Sequence, residues 1–260
     1  MLRPRLIPSL LVDHQLHLVK TTRFSDRHYL GDPLNAAYVF SGYEVDELLV
    51  LDIDATPAGR TIPLPFVAAL SRFTTVPLTV GGGIESLEQI EALVALGVEK
   101  VALSAVLDQN LVFLQQAADR FGSSTISVVL NVTAELGREA TAQFGLQGVS
   151  QPVAPLALAC QRAGAGELVI HLRSREGTST GYDIPLLAAL NDQLTIPLVA
   201  LGGCGQQEHI HDLLKVCSVS GVAAGSLFAY APNSHEVLLN YPETNAWLSD
   251  ALAERQEMSP

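Results

Sequence analysis

The chain has 260 residues, 48% apolar and 16% charged, enough for one large or two small domains with a sizeable core. A formal net charge of −12 repels a phosphodiester backbone and argues against nucleic acid as a partner. No charge-free run reaches the roughly 20 apolar residues of a membrane span, and the opening MLRPRLIPSLLVDHQLH is broken by Asp13 and His14 with no small-residue cleavage site, so neither a spanning helix nor a signal peptide is expected.

The first strand-length apolar run is RLIPSLLV at 5–12. ELLVLDI (47–53), VPLTV (76–80) and KVALS (100–104) follow, then TISVVLN (125–131), ELVIHL (167–172), IPLVAL (196–201) and GVAAG (221–225). Runs this uniformly apolar are buried on both faces, as in a parallel sheet. Amphipathic stretches such as SLEQIEALVALG (86–97) and NLVFLQQAADRFG (110–122) lie between them. Eight βα units in roughly 250 residues predict a single (β/α)8 barrel, with a doubly wound open sheet as the competing arrangement. The polar tail at 241–260 predicts a final helix with a frayed end. Cys160, Cys204 and Cys217 have neither metal nor disulfide spacing and read as reduced thiols of a cytoplasmic protein; no metal and no cofactor is expected.

The phrase VPLTVGGG at 76 returns as IPLVALGG at 196. At the same offset of 120, ELLVLDI at 47 falls on ELVIHLR at 167, and PSLLV at 8 falls on VVLNV at 128. One residue further, VALSAVL at 101 meets VAAGSLF at 222. Strands one to four thus echo strands five to eight, which predicts two half-barrels at about 1–121 and 122–240 within one domain.

The repeat duplicates a glycine pattern. Gly81, Gly82 and Gly83 end the third strand and Ser104 the fourth; Gly202 and Gly203 end the seventh, Gly225 and Ser226 the eighth. Glycine lets backbone N–H groups approach a ligand, and a following helix N-terminus favours an anion. Two such pairs could hold two phosphates across one barrel mouth. Tight strand-to-helix turns would use the same glycines.

RLIPSLLV, GDPLNAA, VDELLVLDID, VGGGI, VEKVAL, AGAGELVI, REGTSTGYD and GGCG together resemble the HisF family, the cyclase subunits of imidazole glycerol phosphate synthase. The resemblance runs from about residue 4 to about 230. It implies a barrel that binds a bis-phosphorylated ribonucleotide across its mouth, with a HisH-like glutaminase docked at the other end and ammonia passing through the core. It assigns phosphate binding to Gly82, Gly83, Ser104, Gly177, Gly202, Gly203, Gly225 and Ser226. The family's two catalytic aspartates fall on Leu11 and Asn131, again 120 apart. Leucine carries no proton and a neutral amide does not titrate, so neither serves as a general base. Asp13, Asp52 and Asp54 are the nearby candidates to replace them.

Arg5, Glu47, Lys100 and Glu167, at four strand starts, match the family's charged ring at the barrel floor, where ammonia enters. Glu99 falls where the family has an acidic residue facing the glutaminase. Keeping the entrance without the cyclase acids resembles the WbuZ-type branch, in which the barrel serves a sugar amidotransferase of surface-polysaccharide pathways that makes acetamidino sugars. RPRLIPSLLV, HLVKTTRF, GDPLNAAYVF and LDIDATPAGR carry that likeness. The expectation is an ammonia-conducting barrel; an active cyclase (a lyase of histidine biosynthesis) and a nucleotide-binding scaffold are the rivals.

Overall fold

The computed structural model describes residues 3–104, 111–134, 139–144, 149–231, 234 and 236–242. In the first half, β1 (Arg5–Val12) is followed by a hairpin of β2 (Leu18–Thr22) and β3 (Asp26–Gly31), then α1 (Pro33–Gly42). After these come β4 (Leu48–Asp52), α2 (Leu64–Phe73), β5 (Leu78–Gly81), α3 (Leu87–Ala95), β6 (Lys100–Leu103) and α4 (Leu111–Phe121). The second half opens with β7 (Ile126–Thr133), a hairpin of β8 (Thr141–Phe144) and β9 (Val149–Pro152), and α5 (Val153–Arg162). It continues with β10 (Glu167–Leu172), α6 (Ile184–Asn191), β11 (Leu198–Leu201), α7 (Gln207–Val216), β12 (Gly221–Ala224) and α8 (Ser226–Ala229).

Eight strands pair in parallel in the order β1-β4-β5-β6-β7-β10-β11-β12, and β12 returns to β1 through Arg5↔Gly221 to Pro8↔Ala224. The sheet is closed, which excludes the open doubly wound arrangement. Closure leaves no free edge. β5 and β11, α1 and α5, α2 and α6, and α3 and α7 each begin 120 residues apart, and β6 and β12 begin 121 apart. The repeat read in the sequence is therefore a repeat of elements.

Side-chain alternation along each strand builds two cores. Outward residues such as Leu6, Leu10, Val50 and Val128 pack under the helices. Inward residues, among them Ile7, Leu49, Val129, Val169, Val199 and Ala223, fill the barrel. Helix starts are chemically marked. Asp32 caps α1 by accepting from Leu34 N at 2.9 Å, with Pro33 at the first helical position. Ser86 and Gln89 form a capping box on α3. Asp183 caps α6.

The sequence reading missed both hairpins. Each follows the first strand of its half and pairs antiparallel with it, β2 on β1 and β8 on β7. LVKTT mixes Lys and Thr into the apolar pattern, and the turn between β2 and β3 lacks Asn-Gly or Asp-Gly. It instead places Arg23 and Phe24 at φ 51° and 63°, a conformation rarely adopted by residues of this size. Residues 243–260, where a last helix is expected, lie outside the described residues. Tyr241, just before them, stacks on Phe228 and offers its hydroxyl to the Leu6 carbonyl at 3.3 Å.

Candidate functional site

The strand starts converge on one charged cluster. Arg5 ion-pairs with both Glu47 and Glu167, and the Lys100 ammonium reaches the same two carboxylates at 2.9 and 3.3 Å. The four expected residues thus form a closed ring with alternating charge. Two hydroxyls complete it: Thr79 Oγ1 donates to Glu47 at 2.6 Å and Ser127 Oγ to Glu167 at 3.2 Å. Both glutamates are buried, while the Arg5 side chain keeps 26% of its surface exposed. Burial works against the Arg5 charge, but Glu167 and Glu47 outweigh it and push its pKa up. Glu99, just before Lys100, is exposed on this face.

Above the ring the barrel interior is apolar through Ile7, Leu49, Ala102, Val129, Val169, Val199 and Ala223. At the strand C-terminal ends it opens into a cavity of about 470 Å³. A cavity at this end of a barrel is where ligands bind. Leu11 and Asn131 line it, as do Gly81, Gly82, Gly83 and Ser104 from the first half. Asn131 Nδ2 reaches Ser104 Oγ at 3.4 Å. A side-chain carbon at Gly83 (φ 60°) would collide with the Arg60 carbonyl, so the loop requires glycine there.

The second-half glycines are placed differently. Gly177, Gly202, Gly203, Gly225 and Ser226 do not line this cavity. Gly177 packs against the main chain of Thr21, and Gly203 against the carbonyl of Gly181. A carbon added at Gly225 would lie 2.7 Å from Lys20 Nζ. The eight expected phosphate residues therefore do not share one open pocket: the Lys20 side chain of the first hairpin reaches into the second half's position.

The carboxylates considered as substitutes are engaged. Asp52 lines the cavity but is gripped by Arg60 at 2.5 and 3.1 Å. Asp54 takes a two-pronged bond from Arg27, 2.6 Å on each arm, which is the main reason its pKa is lowered. Asp13 turns back to accept the Gln15 and His17 amides, 2.9 Å each.

Sequence reasoning missed a buried set on the cavity's second-half side. Glu176 ion-pairs with Lys20 and meets His171 Nε2 at 3.2 Å. Burial alone would raise the Glu176 pKa; Lys20 and His171 reverse this and pull it to about 2. His171 lines the cavity opposite Asn131 in the β10–β7 register, and its ring lies 4.7 Å from that of Phe24. The strand phase of Glu167, Val169 and His171 was the available signal. Lys20 and Glu176 lie 156 residues apart, with nothing local to link them.

Among the described residues no cluster of three potential metal-ligating side chains occurs, and no helix is long and apolar enough to cross a membrane. A closed parallel barrel with a charge-lined floor and a glycine-walled cavity at its strand ends is a (β/α)8 barrel. The chain belongs to the histidine biosynthesis protein family, whose model matches residues 5–233, and is a HisF-like member of it. It is 37% identical over 245 residues to a Leptospira borgpetersenii protein provisionally named imidazole glycerol phosphate synthase subunit HisF, covering 93% of this chain and 96% of that one. It is 37% identical to a Vibrio vulnificus relative provisionally named subunit hisF3, over 93% of this chain and 94% of that one. A Pseudomonas aeruginosa relative provisionally named subunit hisF2 is 34% identical, over 94% of this chain and 98% of that one.

Proposed function

We propose that this barrel is the ammonia-conducting subunit of a glutamine-dependent amidation system and that its cyclase chemistry is lost. The observation that carries the reading is the pair Leu11 and Asn131 in the cavity beneath which the floor ring stays closed. A buried ion network costs desolvation, so a barrel keeping only its fold has no need of one. A HisH-like glutaminase would dock on the face carrying Glu99, releasing ammonia at the ring. The apolar interior suits a small neutral molecule better than an ion. The receiver would be a sugar amidotransferase of the WbuZ-type pathways, and the glycine-walled half of the cavity would take a phosphorylated small molecule.

The names of the relatives favour a second reading, an active cyclase subunit. One assay separates the two. The protein is incubated with the bis-phosphorylated ribonucleotide and excess ammonium near pH 8, and substrate loss is followed. No turnover is expected, because two proton-transfer groups, each typically worth about 10²–10⁴-fold, are missing. Turnover at about 1 s⁻¹ would overturn the proposal.

A further inference from the structure

We propose that His209 is a pH-responsive latch: as the neutral imidazole it fastens the turn between β11 and α7 beside the 175–181 loop, and as the imidazolium it lets go. Neither His209 nor residues 202–205 of that turn line the cavity, and nothing in the latch depends on ammonia conduction.

The internal repeat isolates the unusual group. In the first half Gln89, the third residue of α3, accepts the Glu85 amide at 2.7 Å and the Ser86 amide at 3.1 Å, and Ser86 Oγ accepts from Gln89 N in return. His209 stands 120 residues after Gln89, and Gly205 stands 120 after Glu85. There the Gly205 amide donates to His209 Nδ1 at 3.2 Å. Gln206, at the position of Ser86, makes no side-chain cap. Equivalent amides are thus held by an amide oxygen that does not titrate in one half and by a ring that does in the other. An imidazole accepts at Nδ1 only while that nitrogen carries no proton; in the imidazolium both nitrogens are donors.

The ring sits where turn and loop meet. A side-chain carbon added at Gly181 would meet it at 3.4 Å, and one added at Gly205 would strike Ser179 Oγ at 2.3 Å. Gly181 N donates to the Gly203 carbonyl at 2.9 Å, and Ser179 holds a left-handed φ of 53° in this packing. Burial lowers the pKa of His209 from the ordinary 6.5, against the opposing pull of Asp212 and Glu208 on its own helix. The charged groups of the loop are engaged elsewhere: Arg175 donates to the Thr180 and Gly181 carbonyls at 3.3 and 3.2 Å, and Glu176 holds Lys20. Asp183 caps α6, and the Cys204 thiol in the turn is neutral, pushed up by burial to about 12. Protonation therefore sets an N–H against the Gly205 N–H, while the exposed carboxylates of Glu208 and Asp212 draw the charged ring outward. The sign follows: the contact is complete above the ordinary histidine pKa and is lost as pH falls below it.

The test follows the 15N-labelled protein by NMR from pH 8 to pH 5, reading the His209 ring nitrogens, the Gly205 and Gly181 amides, and the Glu85 amide as internal control. The Gly205 and Gly181 signals are expected to move with the His209 ring, and the Glu85 signal to stay still. Corrected for its intrinsic pH dependence, hydrogen exchange at Gly205 should speed up about tenfold across the transition relative to Glu85. His209→Gln, which installs the acceptor of the first half, should abolish the titration at Gly205 while keeping its protection. A Gly205 signal that ignores the ring titration, or that titrates unchanged in His209→Gln, would overturn the proposal. So would a ring that stays neutral down to pH 5. If His209→Gln does not fold, the wild-type tautomer decides: an unprotonated Nδ1 at pH 8 supports the latch, and a protonated one overturns it.

Discussion

Glu176 shows what a single residue's surroundings decide. Its pKa of about 2 in the folded protein lies below the ordinary carboxyl value of 4.5. A depressed folded-state pKa contributes stability that is complete above about pH 5 and drains away as pH falls toward 2. Urea unfolding across that range should find wild type losing stability steeply on the acid side. Glu176→Gln should be less stable at pH 7 and flatter below pH 5. The thiols behave in the opposite sense. Burial pushes Cys160 and Cys204 up to about 12, and Cys217 is buried too. A thiol reagent at pH 8 should find no rapidly reacting cysteine until the protein is unfolded. Lys100→Met would leave Glu47 and Glu167 facing Arg5 alone. A loss of about 3 kcal/mol in chemical denaturation is expected if the ring behaves as buried. Glutamine-supported transfer should drop relative to ammonium-supported transfer; an equal drop in both would leave the ring a structural role only.

Among the elements, the glycines after β5 and β11 test the repeat directly. Gly83 and Gly203 both have positive φ, and a side chain at either would strike a carbonyl, of Arg60 and Gly181 respectively. Gly83→Ala and Gly203→Ala should each cost about 3 kcal/mol. Gly97→Ala has a positive φ but open space around it, so it should cost only about 1 kcal/mol. Thermal unfolding of the three variants checks the order. The barrel strands were legible in the sequence because parallel strands covered on both faces are apolar throughout, as ELLVLDI and IPLVAL are. The floor ring was legible because Arg5 shares a pleat phase with Ile7 and Leu11, so a charge at the strand start had to point inward. The hairpins were not. Their strands are short and half-polar, and what holds the first one down is tertiary: Lys20 on Glu176, and Arg23 N on the Glu176 carbonyl at 2.8 Å. Missing that hairpin also hid why the second half's glycines do not open onto the cavity.

At the scale of the whole molecule, the 120-residue repeat gives two copies of one framework with unlike upper sites. The first half keeps a glycine-walled cavity, while at Gly225 the second half receives Lys20 from its partner half. Equilibrium binding of inorganic phosphate should therefore saturate at one site per chain, with Gly83→Ala weakening it and Gly203→Ala leaving the stoichiometry unchanged. Two sites of equal affinity would contradict this asymmetry.

Closure of the barrel also sets an order of events in time. The lower part of β1 finds its neighbour only in β12, with Arg5 opposite Gly221, and Arg5 finds Glu167 162 residues along the chain. During synthesis Arg5 can meet Glu47 early, but the lower part of the first strand waits for nearly the whole polypeptide before its ladder partner arrives. Contacts so distant in sequence form late and slow the search for the native state. The nascent chain therefore carries an exposed strand edge for most of its synthesis, a hazard for self-association that ends only when the last strand arrives. A chain released before residue 221 should aggregate where the full-length protein does not.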